Sequence, residues 1–229
     1  AVCSLHTGRQ FLVVQRTALI NHCRGLLTEF GIIMPLGADK VRRLFAEILD
    51  DEQSTVPLLL KDLLQQHLQD LARLEHRIES IDKQLAEWAK TNHQAMTLLQ
   101  MLGVGVITAT AFAAGVCDAQ LFENGRQFAA WLGLVPRQYS SGGKNKLGSI
   151  TKTGDVYLRT MLAQGARSIV FNAKKKNDPF SLWIQRLLER AGMNKTVIAV
   201  AAKQARIMWA IMAKNQDYQP EKICSPLSA

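Results

Sequence analysis

PLLLKDLLQQHLQDLARLEHRIESIDKQLAEWAKTN, residues 57–92, decides the fold. Leu60, Leu64, Leu71, Leu74, Ile78, Ile81, Leu85 and Trp88 recur at alternating spacings of four and three, interrupted only by His67. That heptad pattern puts one apolar seam along a long helix, expected over residues 57–92. Pro57 suits the first turn, where a missing N–H costs nothing. Glu75, Arg77, Glu79, Asp82 and Lys83 keep the other faces wet. The seam has to be covered. Two chains pairing in a coiled coil would do it, and so would a helical hairpin within one chain. No carboxylate or histidine set converges on His67 or His76 in sequence, so neither is assigned to a metal.

Upstream, RQFLVVQRTALINHCRGLLTEF at 9–30 carries a helical stripe through Leu12, Leu19, Cys23 and Leu26. Gly31 marks its end, and Pro35 with Gly37 a turn. A short helix follows at 38–49, then a polar connection at Asp50–Gln53. Downstream, residues 94–135 form a compact helical unit rich in glycine. Residues 136–155, full of Gly, Ser and Lys, are expected as a loop. Helices at 155–173, 180–191 and 194–213 follow, with a basic break at 174–179, Asn194 as the cap of the last helix, and a loose tail from Tyr218 onward. No internal repeat and no alternating strand pattern emerges. The expected class is all-α: a long coiled-coil helix or hairpin joined to a compact helical domain with a helix-hairpin-helix-like element.

The chain has 229 residues, 48% of them apolar, enough for one packed domain or two small ones and too many for wholesale disorder. The net charge of +9 points to a polyanionic partner. It is uneven: residues 137–214 hold 15 Lys or Arg against three acids, Asp155, Asp178 and Glu189. A basic half beside a more balanced one is the layout of a binding surface joined to a structural element. Cys3, Cys23, Cys117 and Cys224 show no metal-ligand spacing and fit thiols in a reducing compartment. No run of 18 or more apolar residues exists, so neither a membrane span nor a membrane partner is expected. The start, AVCSLHTGRQF, lacks a secretory pattern and, having no Met, is expected to be the later part of something longer.

Three stretches could carry chemistry. In LLQMLGVGVITATAFAA, 98–114, a helix should end near Leu102, turn through Gly103, Val104 and Gly105, and restart near Val106. Glycines let a phosphate approach the backbone, and the free N–H groups of the second helix would face it. A helix-hairpin-helix contacts the DNA backbone in this way. The same turn also serves plain packing, as Phe122, Phe128 and Trp131 do. In PRQYSSGGKNKLGSITKTGDVYLR, 136–159, Arg137, Lys144, Lys146, Lys152 and Arg159 surround the Gly142–Gly143 pair and supply attraction to phosphates. A serine held among cations can act as a nucleophile, but spacing does not choose among Ser140, Ser141, Ser149 and Thr151. The Walker A order is absent. Third, Lys174, Lys175 and Lys176 form a basic patch that suits either a backbone contact or a solvated turn. The acids Asp39, Glu47, Asp50, Asp51 and Glu52, or Asp118 and Glu123, form no convincing paired-carboxylate metal site.

RTALINHCRGLLTEFGI at 16–32, LLQMLGVGVITATAF at 98–112 and FENGRQFAAWLGLVPRQYSSGGKNKLGSITKTGDVYLRTML at 122–162 together resemble the C-terminal part of transposases of the IS110/IS1111 group. The third is the most specific, and the likeness spans nearly all of 9–213. The resemblance implies recombinases of insertion sequences, with an N-terminal RuvC-like domain whose acids bind divalent metal (Mg), a coiled-coil segment, and a helical domain bearing a nucleophilic serine. It implies DNA as partner, a structured guide RNA in the broader group, homodimers or tetramers held by the coiled coil, and a cytoplasmic, nucleoid-associated location. By it, Ser141 is the candidate nucleophile, with Ser140 the register alternative. Gly103, Gly105, Arg137, Ser140, Gly142, Gly143, Lys144, Lys146, Lys152, Arg159 and Lys174–Lys176 are the candidate nucleic-acid contacts.

The implied domains are 1–37, the terminal helix of the RuvC-like domain; 38–93, linker and coiled coil; 94–217, the transposase domain; and 218–229, a flexible tail. The family's acids lie upstream of RTALIN, and none of the 15 residues before Arg16 is Asp or Glu. The chain is therefore expected to need no cofactor of its own and to bind nucleic acid without recombining it alone. The alternative is a non-catalytic, architectural DNA-binding module. A purely structural coiled-coil protein would leave the basic half unexplained.

Overall fold

The computed structural model describes residues 1–34, 37–51, 56–141 and 144–220. It is mostly helical, as the class assignment expected. In order come α1 (Val2–Glu29), α2 (Ala38–Asp50), α3 (Leu58–Thr91), α4 (His93–Leu99), α5 (Val106–Gly115), a 3-10 turn (Ala119–Leu121), α6 (Gly125–Trp131), β1 (Pro136–Ser141), β2 (Lys144–Ile150), α7 (Val156–Ala173), α8 (Pro179–Ala191) and α9 (Met193–Lys214). Two compact units divide within α3, between Gln84 and Leu85.

In the first unit α1 and α3 run antiparallel. Arg9 near one end of α1 pairs with Asp82, its Nη2 donating to Oδ2 at 3.2 Å, and His22 further along meets His67 edge-on with ring centroids 5.4 Å apart. Cys23 and Leu27 of α1, Val41, Phe45 and Ile48 of α2, and Leu64 and Leu71 of α3 share one core. The α3 seam is thus buried within the chain at these positions, which favours folding back among the two ways of covering it. Each such Leu contributes about 1.5–3 kcal/mol. Gly31 (φ +74) lets the chain leave α1, with the Ile32 N–H donating to Leu27 O. Burial pushes the Cys23 thiol up to about 11.

The second unit is built around α9, whose Val197, Val200, Ala201, Ala205, Met208, Ile211 and Met212 are buried. α9 is long and apolar enough to cross a membrane, but its buried half packs against α4, α6, α7 and α8. The aromatics Phe112, Phe122, Phe128 and Trp131 form one edge-and-stack cluster beside it, and the Trp209 indole N–H donates to Ala119 O and Phe122 O.

Three local expectations are corrected. Residues 136–150 are an antiparallel hairpin rather than a loop. Their backbone groups pair across the Gly-Gly link, and that pairing outweighs a composition poor in strand formers. The last helix begins at Met193 with Gly192 (φ +76) before it, so Asn194 lies inside the helix and does not cap it. Tyr218, where the loose tail was expected to begin, is half-buried against the core with a backbone hydrogen bond from Leu102, and residues 221–229 of that tail lie outside the described residues.

Candidate nucleic-acid interface

The α4–α5 turn comes from capping and glycine together. Asn92 caps α4, its side chain accepting from Ala95 N–H at 2.9 Å. The helix tightens as Gln100 and Met101 N–H donate to Thr97 O and Leu98 O, and Gly103 takes φ +75. A Cβ on Gly103 would sit 2.7 Å from Ile169 Cδ1, and one on Gly165 of α7 would sit 2.3 Å from Gly103 O. Gly103 therefore serves a backbone-to-backbone contact with α7. From α9, the buried Gln204 donates through Nε2 to Leu102 O at 2.7 Å. Gly105 differs: it is exposed, has nothing within 4 Å of a Cβ, and begins α5 with no side-chain cap. The first N–H groups of α5 therefore start the helix without a side-chain acceptor.

The second element is the ribbon. Gln138 pairs with Leu147, Tyr139 with Lys146, Ser140 with Asn145 and Ser141 with Lys144, with a bulge between Pro136 and Gln138. Alternation places the register positions of Tyr139, Ser141, Lys144 and Lys146 on one face, and those of Gln138, Ser140, Asn145 and Leu147 on the other. Gly142 and Gly143 lie outside the described residues. Residues 136–139 and 147–149 are exposed.

A two-stranded ribbon is marginal by itself, and this one is fixed at its base. Thr151 N–H donates to Val135 O and Lys152 N–H to Gly133 O. Gly133 and Gly154, both at positive φ, allow residues 131–133 and 152–154 to touch: a Cβ on Gly154 would lie within bonding range of Trp131 O. Lys152 also takes a left-handed conformation, φ 57. Arg159 Nη1 donates to Leu132 O at 3.1 Å and Thr153 O at 2.8 Å, and Arg137 Nη2 to Thr151 O at 3.3 Å. Arg159, singled out as a phosphate contact, thus has a structural task.

Lys174, Lys175 and Lys176 are exposed at the end of α7. Gln185 pins this turn by donating to Ala173 O and Lys176 O. Asp178 then caps α8. The Ser181 hydroxyl, at 2.6 Å, and the N–H groups of Ser181 and Phe180 hold its carboxyl below the usual range.

The structure therefore brings Arg137, Lys152 and Arg159 together at the ribbon base. Gly103 and Gly105 belong to the α4–α5 turn, and Lys174–Lys176 to the α7–α8 turn. Two features went unread in the sequence. From Asn124 to Gly154 the chain has five cations, Arg126, Arg137, Lys144, Lys146 and Lys152, and no acid. Tyr139 and Leu147 stand 60% and 64% exposed on opposite faces of the ribbon. Gly-Gly between short polar runs was the available hairpin signal.

Residues 95–180, from α4 to the start of α8, match the family described as Transposase IS116/IS110/IS902. Over 221 residues the chain is 43% identical to a probable family 20 transposase of Pseudomonas aeruginosa, covering 96% of this chain and 65% of that protein. It is 39% identical over 211 residues to the transposase for insertion sequence element IS1111A of Coxiella burnetii, covering 92% of this chain and 58% of that protein. Against the transposase for insertion sequence element IS1328 of Yersinia enterocolitica it is 36% identical over 215 residues, 94% of this chain and 64% of that protein. The chain thus spans between 58% and 65% of the length of these relatives. This likeness to transposases of the IS116/IS110/IS902 family runs through both the α4–α5 turn and the ribbon.

Proposed function

We propose that this chain is the nucleic-acid-holding part of an insertion-sequence transposase, a cytoplasmic protein whose principal partner is duplex DNA. One observation carries the reading. The longest family-like stretch is free of acids from 124 to 154, holds five cations, and folds into an anchored, exposed ribbon. Such a surface tracks phosphates and releases counterions as it binds. The α5 start beside Gly105 and the Lys174–Lys176 turn are further places for phosphate.

Ser141 is the nucleophile in this proposal. Its register position shares a face with Lys144 and Lys146, whereas Ser140 falls on the other. In the covalent step the Ser141 oxygen bonds to phosphorus as the bond from phosphorus to one deoxyribose oxygen breaks. The serine proton is lost and the departing oxygen is protonated, so one ester replaces another. The divalent metal that the family resemblance implies finds no donor set here, since among the described residues no three His, Cys, Asp or Glu side chains group together. Carboxylates would come from elsewhere, and the chain alone would bind DNA without exchanging strands. That same observation favours the second reading, an architectural DNA-binding module. A Ser141–DNA adduct, formed when acidic residues are supplied in trans and lost in Ser141→Ala, separates the two.

A homodimer or tetramer would hold two DNA ends. The α3 seam is occupied within the chain at Leu64 and Leu71, so assembly would use other surface, such as that around the exposed Phe11 and Val14 of α1. The direct test of the function is binding to duplex DNA and to structured RNA from about 50 to 300 mM salt. Tight binding that weakens steeply with salt supports the proposal, and a preference for RNA assigns the surface to a guide. A folded chain that binds neither refutes it.

A further inference from the structure

The exposed ribbon has two unusual properties for a phosphate-tracking loop. Its backbone is already paired and its base is locked by Arg159, Gly133 and Gly154, so its direction does not depend on a ligand. It also presents a large apolar side chain on each face. Tyr139 lies over Gly148, where a Cβ would come 3.1 Å from the ring, and otherwise faces solvent. Leu147 faces solvent on the opposite face. A phosphate track needs neither. An object flanked on both sides needs both.

We infer that the β1–β2 ribbon enters the major groove of duplex DNA, with Tyr139 and Leu147 against the groove's two walls and base edges. This rests on the function proposed above and adds the groove to it. Two strands lie about 4.8 Å apart, and with side chains on both faces they match a major groove about 12 Å wide, which admits a two-stranded ribbon. Arg137 and Lys152 at the base, in a stretch without acids, meet the phosphates on the groove's rim. The minor groove, about 6 Å wide, is too narrow. The deep, narrow major groove of A-form RNA cannot admit the ribbon either. Duplex DNA is therefore the occupant.

The experiment compares the full chain on two mixed-sequence duplexes of about 30 bp. In one, every cytosine is replaced by glucosylated 5-hydroxymethylcytosine, whose sugar fills the major groove. The expected result is at least about tenfold weaker binding to the glucosylated duplex. The Tyr139→Ser/Leu147→Ser variant, changed only at exposed positions, should bind the two duplexes alike and keep its salt dependence. Equal affinity of the unaltered chain for both duplexes overturns the inference and leaves the proposed function standing. So does equal affinity for a double-stranded RNA of the same sequence, or full discrimination by the variant. Absence of binding to either duplex overturns both.

Discussion

In the first unit side chains hold helices apart, and in the second backbones touch. Along α1 and α3 the core is filled by Leu27, Phe45, Leu64 and Leu71, a Cβ on Gly25 would meet nothing within 4 Å, and one on Gly8 would meet only Ile81 Cδ1 at 3.9 Å. In the second unit Gly103 and Gly165 bring the α4–α5 turn onto α7, a Cβ on Gly125 of α6 would lie 3.0 Å from Arg206 Cα, and Gly133 and Gly154 join the end of α6 to the ribbon base. The difference teaches where glycine is a structural requirement. A core made of Leu tolerates exchange among apolar residues of similar volume, while a backbone contact has no room for one methyl group.

The two units should therefore answer mutation differently. The largest effect is expected for Gly154→Ala or Gly165→Ala, at about 3 kcal/mol or more from overpacking, with backbone strain added at Gly154. Chemical denaturation measures it, and a cost under about 1 kcal/mol would break the contrast. Arg159→Leu removes charged donors from Leu132 O and Thr153 O and should cost about 1–3 kcal/mol. It should also loosen the ribbon, seen as faster hydrogen exchange at Thr151 and Lys152 N–H.

In the first unit His67 stands at a seam position with neither ring nitrogen hydrogen-bonded. Burial, and then the neighbouring His22, lower its pKa from the ordinary 6.5. His6 is lowered too, by burial and by Arg9. The unfolded chain takes up these protons first as pH falls, so the stability that depends on neutral histidine is complete above about pH 6.5 and declines below it. His67→Leu should raise stability by about 1 kcal/mol and flatten that decline, read from denaturation midpoints across the range. The smallest effect is expected at Gly105→Ala, within about 0.5 kcal/mol, because the site is open and its φ of −97 suits any residue.

The heptads were legible because their spacing is local: every one of the eight seam residues is buried or half-buried. Their partner was not legible, since covering by α1 and α2 or by a second chain satisfies the same pattern. The α5 start at Val106 was visible through its glycines, but which glycine packs and which stays open depends on Gly165 and Ile169, some sixty residues away. The ribbon was missed because Arg-Gln-Tyr-Ser-Ser and Lys-Asn-Lys-Leu carry little hydrophobic pattern: residues 136–139 and 147–149 are exposed whichever face they take, so no alternation of apolar and polar residues is enforced there. Arg159 resembled its cationic neighbours in sequence, and only the distant carbonyls of Leu132 and Thr153 separate it from them.

The central claim is that the ribbon, and not positive charge in general, holds DNA. The most direct test is the slope of log affinity against log salt for the chain and for two variants on one duplex. Arg137→Gln/Lys144→Gln/Lys146→Gln/Lys152→Gln removes the ribbon's charges, and Lys174→Gln/Lys175→Gln/Lys176→Gln removes those of the α7–α8 turn. The account predicts a slope reduced by roughly 2–4 in the ribbon variant and by roughly 1 or less in the other, at about 0.9 per lost phosphate contact. Equal reductions, or a larger one from the α7–α8 turn, would contradict it.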